Sequence, residues 1–266
     1  MTRPARPLLF GHRGARGTMP ENTVAAFARA LADGANALEL DVHRSRDGEV
    51  VVFHDDDGGR MANDPRPIES LDFATIAQWD LGHGFVEGGQ RPFVGRGLRA
   101  PRLVDVLRAF PGVAINIDLK TSDAALREAA IAVIEAHGDV DRVVLASFHD
   151  EVINAVIASG CRCRVALARN AVAALRLLPG IVARRVLRPY IERGGSRVQV
   201  PPQTNGLRLD KPSFIERAHD LGFAVDYWVI NDLEQGQQLL LERGADGLIS
   251  DFPARFAHLV PSALAP

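Results

Sequence analysis

Glu39 and Asp41 stand two residues apart in the apolar run Ala37–Val42. Residues at i and i+2 of a strand share a face, so both carboxylates enter one space while Leu40 points away into packing. Two like charges aimed at one space repel unless a cation lies between them, and a hard divalent ion with oxygen ligands suits that role. In a chain this rich in arginine, the alternative is that each carboxylate pairs with a guanidinium. Asp118 and Lys120 repeat the spacing near the end of Ala114–Leu119. On an adjacent strand Asp118 becomes a third carboxylate beside the first two, and Lys120 offers a phosphate a point charge. A plain ion pair within the strand is the alternative. Lys120 and Lys211 are the only lysines among 31 basic residues, which favours the chemical reading of Lys120. His12 and Arg13 lie between Gly11 and Gly14. An arginine there can fork two donors onto phosphate oxygens, and the glycines let a ligand approach the backbone. His12 and His54 titrate near neutrality when unperturbed, so two such groups flanking a phosphate suit proton transfer. His54 as a metal ligand is the alternative, and a hard ion disfavours it.

These side chains need a scaffold that brings distant segments to one place. Short β-rich runs alternate with amphipathic stretches, the pattern of a parallel α/β fold. Strands are expected at Leu8–Gly11, Ala37–Val42, Ala114–Leu119, Val143–Ser147, Arg164–Leu167, Arg197–Val200, Val225–Ile230 and Gly247–Ser250. Eight parallel strands close a TIM-type (β/α)8 barrel, with active groups at the strand C-terminal ends. Helices are expected at Thr23–Ala32, Arg102–Phe110, Asp123–Ala136, Ser213–Leu221 and Leu233–Arg243, with a less regular one near Asp150–Ala158. Val50–His54 follows the second strand too closely for a parallel crossover, and Asp47-Gly48 signals a two-residue hairpin. Arg46 then faces Glu49, and counting back places Asp41 opposite His54. From Asp55 to Ala100 the alternation fades, which predicts a small subdomain, residues 55–100, inserted over the mouth of a single barrel domain spanning 1–266. Pro101 is expected to open the next barrel helix.

Composition sets the boundaries of the reading. Hydrophobic residues are 47% and charged residues 24%, with a net charge of −2, as in ordinary globular chains and without a global attraction to nucleic acid. Met1–Phe10 holds no apolar run of signal-peptide length, and no stretch approaches the roughly 20 apolar residues of a spanning helix, so the cytoplasm is the expected location. Cys161 and Cys163 are too close in sequence to staple distant loops and are expected as packed thiols. His43 is expected as a rim residue. Leu175–Ile191 carries Arg176, Arg184, Arg185 and Arg188 among apolar residues. An outer barrel helix with a solvated basic face is favoured there over contact with a membrane surface.

His12-Arg13-Gly14, Pro20-Glu21-Asn22-Thr23, Glu39-Leu40-Asp41-Val42 and Val51-Val52-Phe53-His54-Asp55, in this order, resemble the glycerophosphodiester phosphodiesterase family. Trp228-Val229-Ile230-Asn231 and Asp246-Gly247-Leu248-Ile249-Ser250-Asp251 are similar to its later strand motifs. The resemblance implies a TIM-type barrel with an insertion after the hairpin, and hydrolysis of glycerophosphodiesters to an alcohol and glycerol 3-phosphate. A lysophospholipid is the alternative substrate, and a catalytically silent phosphate-binding barrel a further one. It implies His12 and His54 as an acid–base pair, Arg13 as a phosphate contact, and Glu39 and Asp41 as ligands of Mg²⁺ or Ca²⁺. Glu21 and Asn22 would shape the site from behind, Thr23 would cap the following helix, and Trp228 would line the substrate side. Asp118 stands where the family usually has glutamate, and Val229 where it usually has threonine.

Overall fold

The structure, a computed structural model, describes residues 7–204 and 206–260. Met1–Arg6, part of the segment expected to hold no signal peptide, lie outside the described residues. Barrel strands β1 (Leu8–His12), β2 (Ala37–Arg44), β4 (Ala114–Leu119), β5 (Val143–Ala146), β6 (Arg164–Val165), β7 (Arg197–Val200), β8 (Ala224–Tyr227) and β9 (Gly247–Ser250) are joined by the short β3 (Val50–Val52). The eight barrel strands run parallel in the order β6-β5-β4-β2-β1-β9-β8-β7. A parallel bridge between Ala166 and Arg197 links the two ends, with the Leu167 N–H donating to the Arg197 carbonyl at 2.8 Å. The expected TIM-type barrel is therefore the fold.

Helices α1 (Val24–Ala32), α2 (Leu103–Ala109), α3 (Ala124–His137), α4 (Asp150–Ala158), α5 (Arg169–Leu177), α6 (Gly180–Val186), α7 (Arg188–Arg193), α8 (Pro212–Asp220) and α9 (Leu233–Gln237) cover the strands. Thr23 caps α1 by accepting from the Ala26 N–H at 3.1 Å, and Asp123 and Asp232 cap α3 and α9 in the same way. The last expected helix widens into a π-helical turn at Gln238–Glu242. Leu175–Ile191 is three short helices rather than one, broken at Leu178-Pro179 and Leu187. Pro101 does not open α2; Arg102 is the cap residue, and the Pro101 carbonyl instead accepts from the Val52 N–H.

Outward-facing Leu38, Leu40 and Val42 pack into the main core beneath the helices. Inside the barrel, Phe10, Ala37 and Ile249 form a plug. The buried Arg197–Asp226 ion pair lies beside Phe10, with the guanidinium 5.7 Å from the ring centroid. A second core, with Val51, Phe53, Met61, Ile68, Ile76 and Trp79, holds residues 57–100 against β3. None of the helices among the described residues is long and apolar enough to cross a membrane.

The hairpin register differs from expectation by one residue. Val42 pairs with Val52 and Arg44 with Val50, so Asp41 lies opposite Phe53, not His54. The loop has three residues, because the turn Ser45–Gly48 is closed by the Gly48 N–H on the Ser45 carbonyl and Gly48 takes φ 93°. A type I turn followed by a left-handed glycine adds the extra residue that a two-residue turn lacks.

The join between β1 and α1 is tight. A Cβ on Gly14, at φ +83°, would lie 2.5 Å from the Ala26 carbonyl carbon. Gly14→Ala should therefore lower stability by about 2–3 kcal/mol and the Tm by roughly 5 °C or more. Gly48→Ala, where the space is open, should lose only about 1 kcal/mol. Thermal melts of the two variants compare strain plus clash with strain alone.

Candidate active site

Strand alternation aims His12, Glu39, Asp41, Asn116 and Asp118 into one cavity at the C-terminal ends of the strands. The register makes them neighbours: His12 beside Glu39, Glu39 beside Asn116, and Asp41 beside Asp118. Arg13 stands at φ 49° and Asn22 at φ 55°, both unusual for non-glycine residues. That strained turn lets the Arg13 N–H donate to Glu39 Oε2 at 2.9 Å, while the Asn22 N–H donates to the Arg13 carbonyl. The Asn22 side chain donates to Asp41 Oδ2 at 2.9 Å, with Arg13 Nε 3.2 Å from the same oxygen. Lys120 Nζ lies 3.2 Å from Asp118 and 3.4 Å from Asp41, so it serves both the intrastrand pair and the cluster.

These cations do not neutralise the cluster. Burial, with Asp41 nearby, holds the Glu39 carboxyl well above its usual range despite Arg13. Burial and Asp41 push Asp118 up to about 6, against the pull of Lys120. Among the described residues buried Asn116 Oδ1 finds no hydrogen-bond partner, and it borders the same space. The donor set is thus three carboxylates and an amide oxygen, all hard and short of positive charge, which fits a hard divalent cation. Among the described residues no three ligating groups are drawn into a closed cage; Arg13 and Lys120 stand among the oxygens instead.

Each proposed histidine is held by a carboxylate. His12 Nδ1 bonds Asp251 Oδ1 at 2.7 Å, and His54 Nδ1 bonds Asp55 Oδ1 at 2.6 Å. Although burial opposes it, the His12 bond keeps Asp251 below the usual carboxylate range; Asp55 is lowered by His54 and Arg60 in the same way. An ionised carboxylate only accepts, so each Nδ1 carries the proton and each Nε2 is left for the cavity. Asn231 fixes Asp251 by donating from its side chain and accepting from the Asp251 N–H. Glu21 gathers Arg13, Arg16 and Arg60 at 2.9, 2.9 and 2.6 Å. Burial alone would raise Glu21, but the Arg60 hydrogen bonds and the Arg13 charge bring it down to about 2. Arg60 also grips Asp55, and Arg16 approaches Asp251 at 3.5 Å, so one ionic chain runs behind both histidines.

Sequence reading left Asp55, Arg60, Arg16, Asn231 and the role of Asp251 unassigned. Asp251 was within reach, since it follows the strand that must neighbour β1 in a closed barrel. Arg60 carries no such signal. His43 is not a rim residue: it is 4% exposed, and its Nε2 bonds the His54 carbonyl at 3.1 Å, steadying the loop that carries His54. The two cysteines are free and buried, as expected.

Beyond the polar end the cavity, of about 810 Å³, becomes apolar. Trp228 lines it and meets Phe148 edge-on at 5.8 Å between centroids. Val172, Ala173 and Leu177 on α5, together with Leu207 and Leu209, line it, beside Arg169 and Arg176.

A sequence profile described as the glycerophosphoryl diester phosphodiesterase family matches residues 12–255. The chain belongs to this family. It is thereby a phosphodiesterase. Among its relatives, a glycerophosphodiester phosphodiesterase of Caldanaerobacter subterraneus is 26% identical over 96% of this chain and 98% of its own length. A human lysophospholipase D is also 26% identical, over 92% of this chain and 83% of its own. An Oleispira antarctica phosphodiesterase solved with its product sn-glycerol-3-phosphate shares the fold at a TM-score of 0.71 and 22% identity, covering 95% of this chain and 96% of that one.

The buried charge of Asp118 sets a pH test. A carboxyl raised to about 6 from its ordinary 3.8 contributes stability that is complete below about 3.8 and is lost as pH rises through about 6. In chelator, the Tm of this phosphodiesterase should fall between pH 4 and 7 more steeply than that of Asp118→Asn. At pH 7.5 added Mg²⁺ or Ca²⁺ should raise the Tm of the unsubstituted protein and leave the variant nearly unmoved. Differential scanning calorimetry reads both.

Proposed function

We propose that this phosphodiesterase hydrolyses glycerophosphodiesters to glycerol 3-phosphate and an alcohol, using His12 and His54 as its acid–base pair. The observation that carries the reading is the pair of carboxylate-held histidines, with Nδ1 bonded to Asp251 and Asp55, bordering one cavity with Glu39, Asp41 and Asp118. Glu39, Asp41 and Asp118 would hold one Mg²⁺ or Ca²⁺, which when bound supplies Lewis-acid charge to a phosphate oxygen. Arg13 and Lys120 would contact the phosphate and balance its charge as bonds change. One histidine takes a proton at Nε2 from the attacking hydroxyl as its oxygen bonds to phosphorus; water gives glycerol 3-phosphate directly, whereas a hydroxyl of the substrate glycerol gives a cyclic phosphate that water must then open. The bond from phosphorus to the departing alkoxide breaks, and the other histidine gives that oxygen its proton. Glu21 and Asn22 act behind these groups, fixing Arg13 and Asp41.

His12→Ala and His54→Ala should each lower kcat roughly 10²–10⁴-fold on glycerophosphocholine, read by coupled assay of glycerol 3-phosphate. Chelator should abolish the activity of the unsubstituted enzyme. A glycerophosphodiester of p-nitrophenol, whose leaving group needs no proton, should restore only the variant lacking the acid. Near-normal turnover by His12→Ala would refute the scheme.

A second substrate reading is favoured by the apolar reach of the cavity past Trp228 and by the human lysophospholipase D relative. A cavity of about 810 Å³ with this apolar lining is larger than a glycerophosphoryl alcohol fills, and suits the hydrocarbon of a lysophospholipid. Choline release from lysophosphatidylcholine, compared with glycerophosphocholine, measures it. Ala173→Arg, which puts a charge on the groove wall, should lower kcat/KM for the lysolipid roughly tenfold or more and spare the deacylated substrate. Equal losses on both would count against this reading.

A further inference from the structure

From Val152 to Ile191 the chain contains seven arginines and not one acidic residue, although the whole chain carries −2. Elsewhere many arginines sit on carboxylates, as Arg29 on Asp33, Arg46 on Asp72, Arg66 on Asp64 and Arg142 on Asp139, while Arg91, Arg99 and Arg255 bond backbone carbonyls. Among the described residues Arg176 and Arg185 pair with no carboxylate, and Arg184 bonds only the Asp220 carbonyl. Interleaved with them are aliphatic side chains that the fold leaves in water: Ile181 is 89% exposed, Leu177 61%, Val186 50% and Val182 44%. In α6 the buried Ala183 anchors the helix on the barrel while its other side chains face out. Solvation of a basic face accounts for the arginines but not for four exposed aliphatics beside them.

We propose that the outer face of α5 and α6 docks the enzyme on an anionic lipid bilayer. Aliphatic side chains enter the boundary between headgroups and acyl chains, while the guanidinium groups meet anionic headgroups. Nucleic acid would match the charge but leave Ile181 and Val182 in water. An acidic protein would need apolar pockets of its own. Continuity with the site supports the lipid: Leu177 and Arg176 line the outer end of the catalytic groove, and α6 begins three residues later. An apolar alcohol tail leaving or entering the groove would therefore meet the same surface. The proposal takes its purpose from the lysophospholipid reading of the groove, and its test is separable from that reading.

The full chain is sedimented with vesicles of phosphatidylcholine alone or with 30% phosphatidylglycerol, at low and high salt. Binding should be roughly tenfold or more stronger on the anionic vesicles and weaken with salt. Arg184→Glu with Arg185→Glu should remove it, and Ile181→Asp should weaken it roughly tenfold. Both variants should keep unsubstituted activity on soluble glycerophosphocholine, since these residues lie outside the cavity. Equal binding to neutral vesicles, or binding unchanged in the arginine variant, overturns the proposal. Soluble polyglutamate serves as a second probe. If it binds as tightly as the vesicles and Ile181→Asp leaves both unchanged, the face fits an acidic protein and the lipid proposal fails. Lysolipid presented as monomers below its micellar concentration tests the substrate reading separately, because docking is not needed to reach the groove.

Discussion

Three carboxylates share the mouth of this barrel, and their mutual repulsion is the constraint around which the rest is arranged. Glu39, Asp41 and Asp118 are each less than 10% exposed, where charge is costly unless it is compensated. Arg13 is bent into a left-handed conformation to bring its backbone N–H to Glu39 and its side chain to Asp41. Asn22 is bent likewise and reaches Asp41, while Lys120 spans Asp41 and Asp118. Glu39 and Asp118 nevertheless stay raised. Carboxyls that stay raised beside two cations and a strained turn support the proposed divalent cation at this end of the cavity.

The same electrostatics orders the histidines. Removing Glu21 from solvent is tolerable because three arginines converge on it. Two of those arginines continue outward to Asp251 and Asp55, the carboxylates that hold His12 and His54. Arg60 belongs to the segment after the hairpin, whereas Asp251 closes the last barrel strand. The ionic chain therefore ties residues some two hundred positions apart into one rigid wall. Both ring orientations depend on it, because a histidine with a free Nδ1 has no fixed face to present.

Opposite that wall the chemistry changes character. The phosphate end is crowded with charge, whereas α5, Leu207 and Leu209 line the rest mainly with aliphatic side chains, with Arg169 and Arg176 among them. A substrate lying across both would place its polar centre and its hydrocarbon in matching surroundings. The arginine-rich surface beyond Leu177 extends the same division to the exterior, with aliphatic and cationic groups side by side and no acidic residue in sequence from Leu177 to Ile191.

The sequence by itself determined the alternation of strands and helices, and so the barrel. It also determined which carboxylates share a face, because strand alternation is a local property of the backbone. Eight strand positions followed from the alternation of short β-rich runs with helices, and Asp118 came beside Glu39 and Asp41 once its strand was the neighbour of theirs; the register opposite Asp41 came from the structure. The hairpin register did not, since the choice between a two- and a three-residue loop at Asp47-Gly48 turns on one left-handed glycine. It shifted Asp41 from His54 to Phe53 without removing His54 from the cavity. Tertiary structure alone decided the partners of the histidines. Asp251, Arg60 and the buried His43 are brought there by barrel closure and by the packing of Met61, Ile76 and Trp79 on Val51 and Phe53. No spacing in the chain encodes a contact between residues 12 and 251; only closing the sheet on itself makes the first and last strands neighbours.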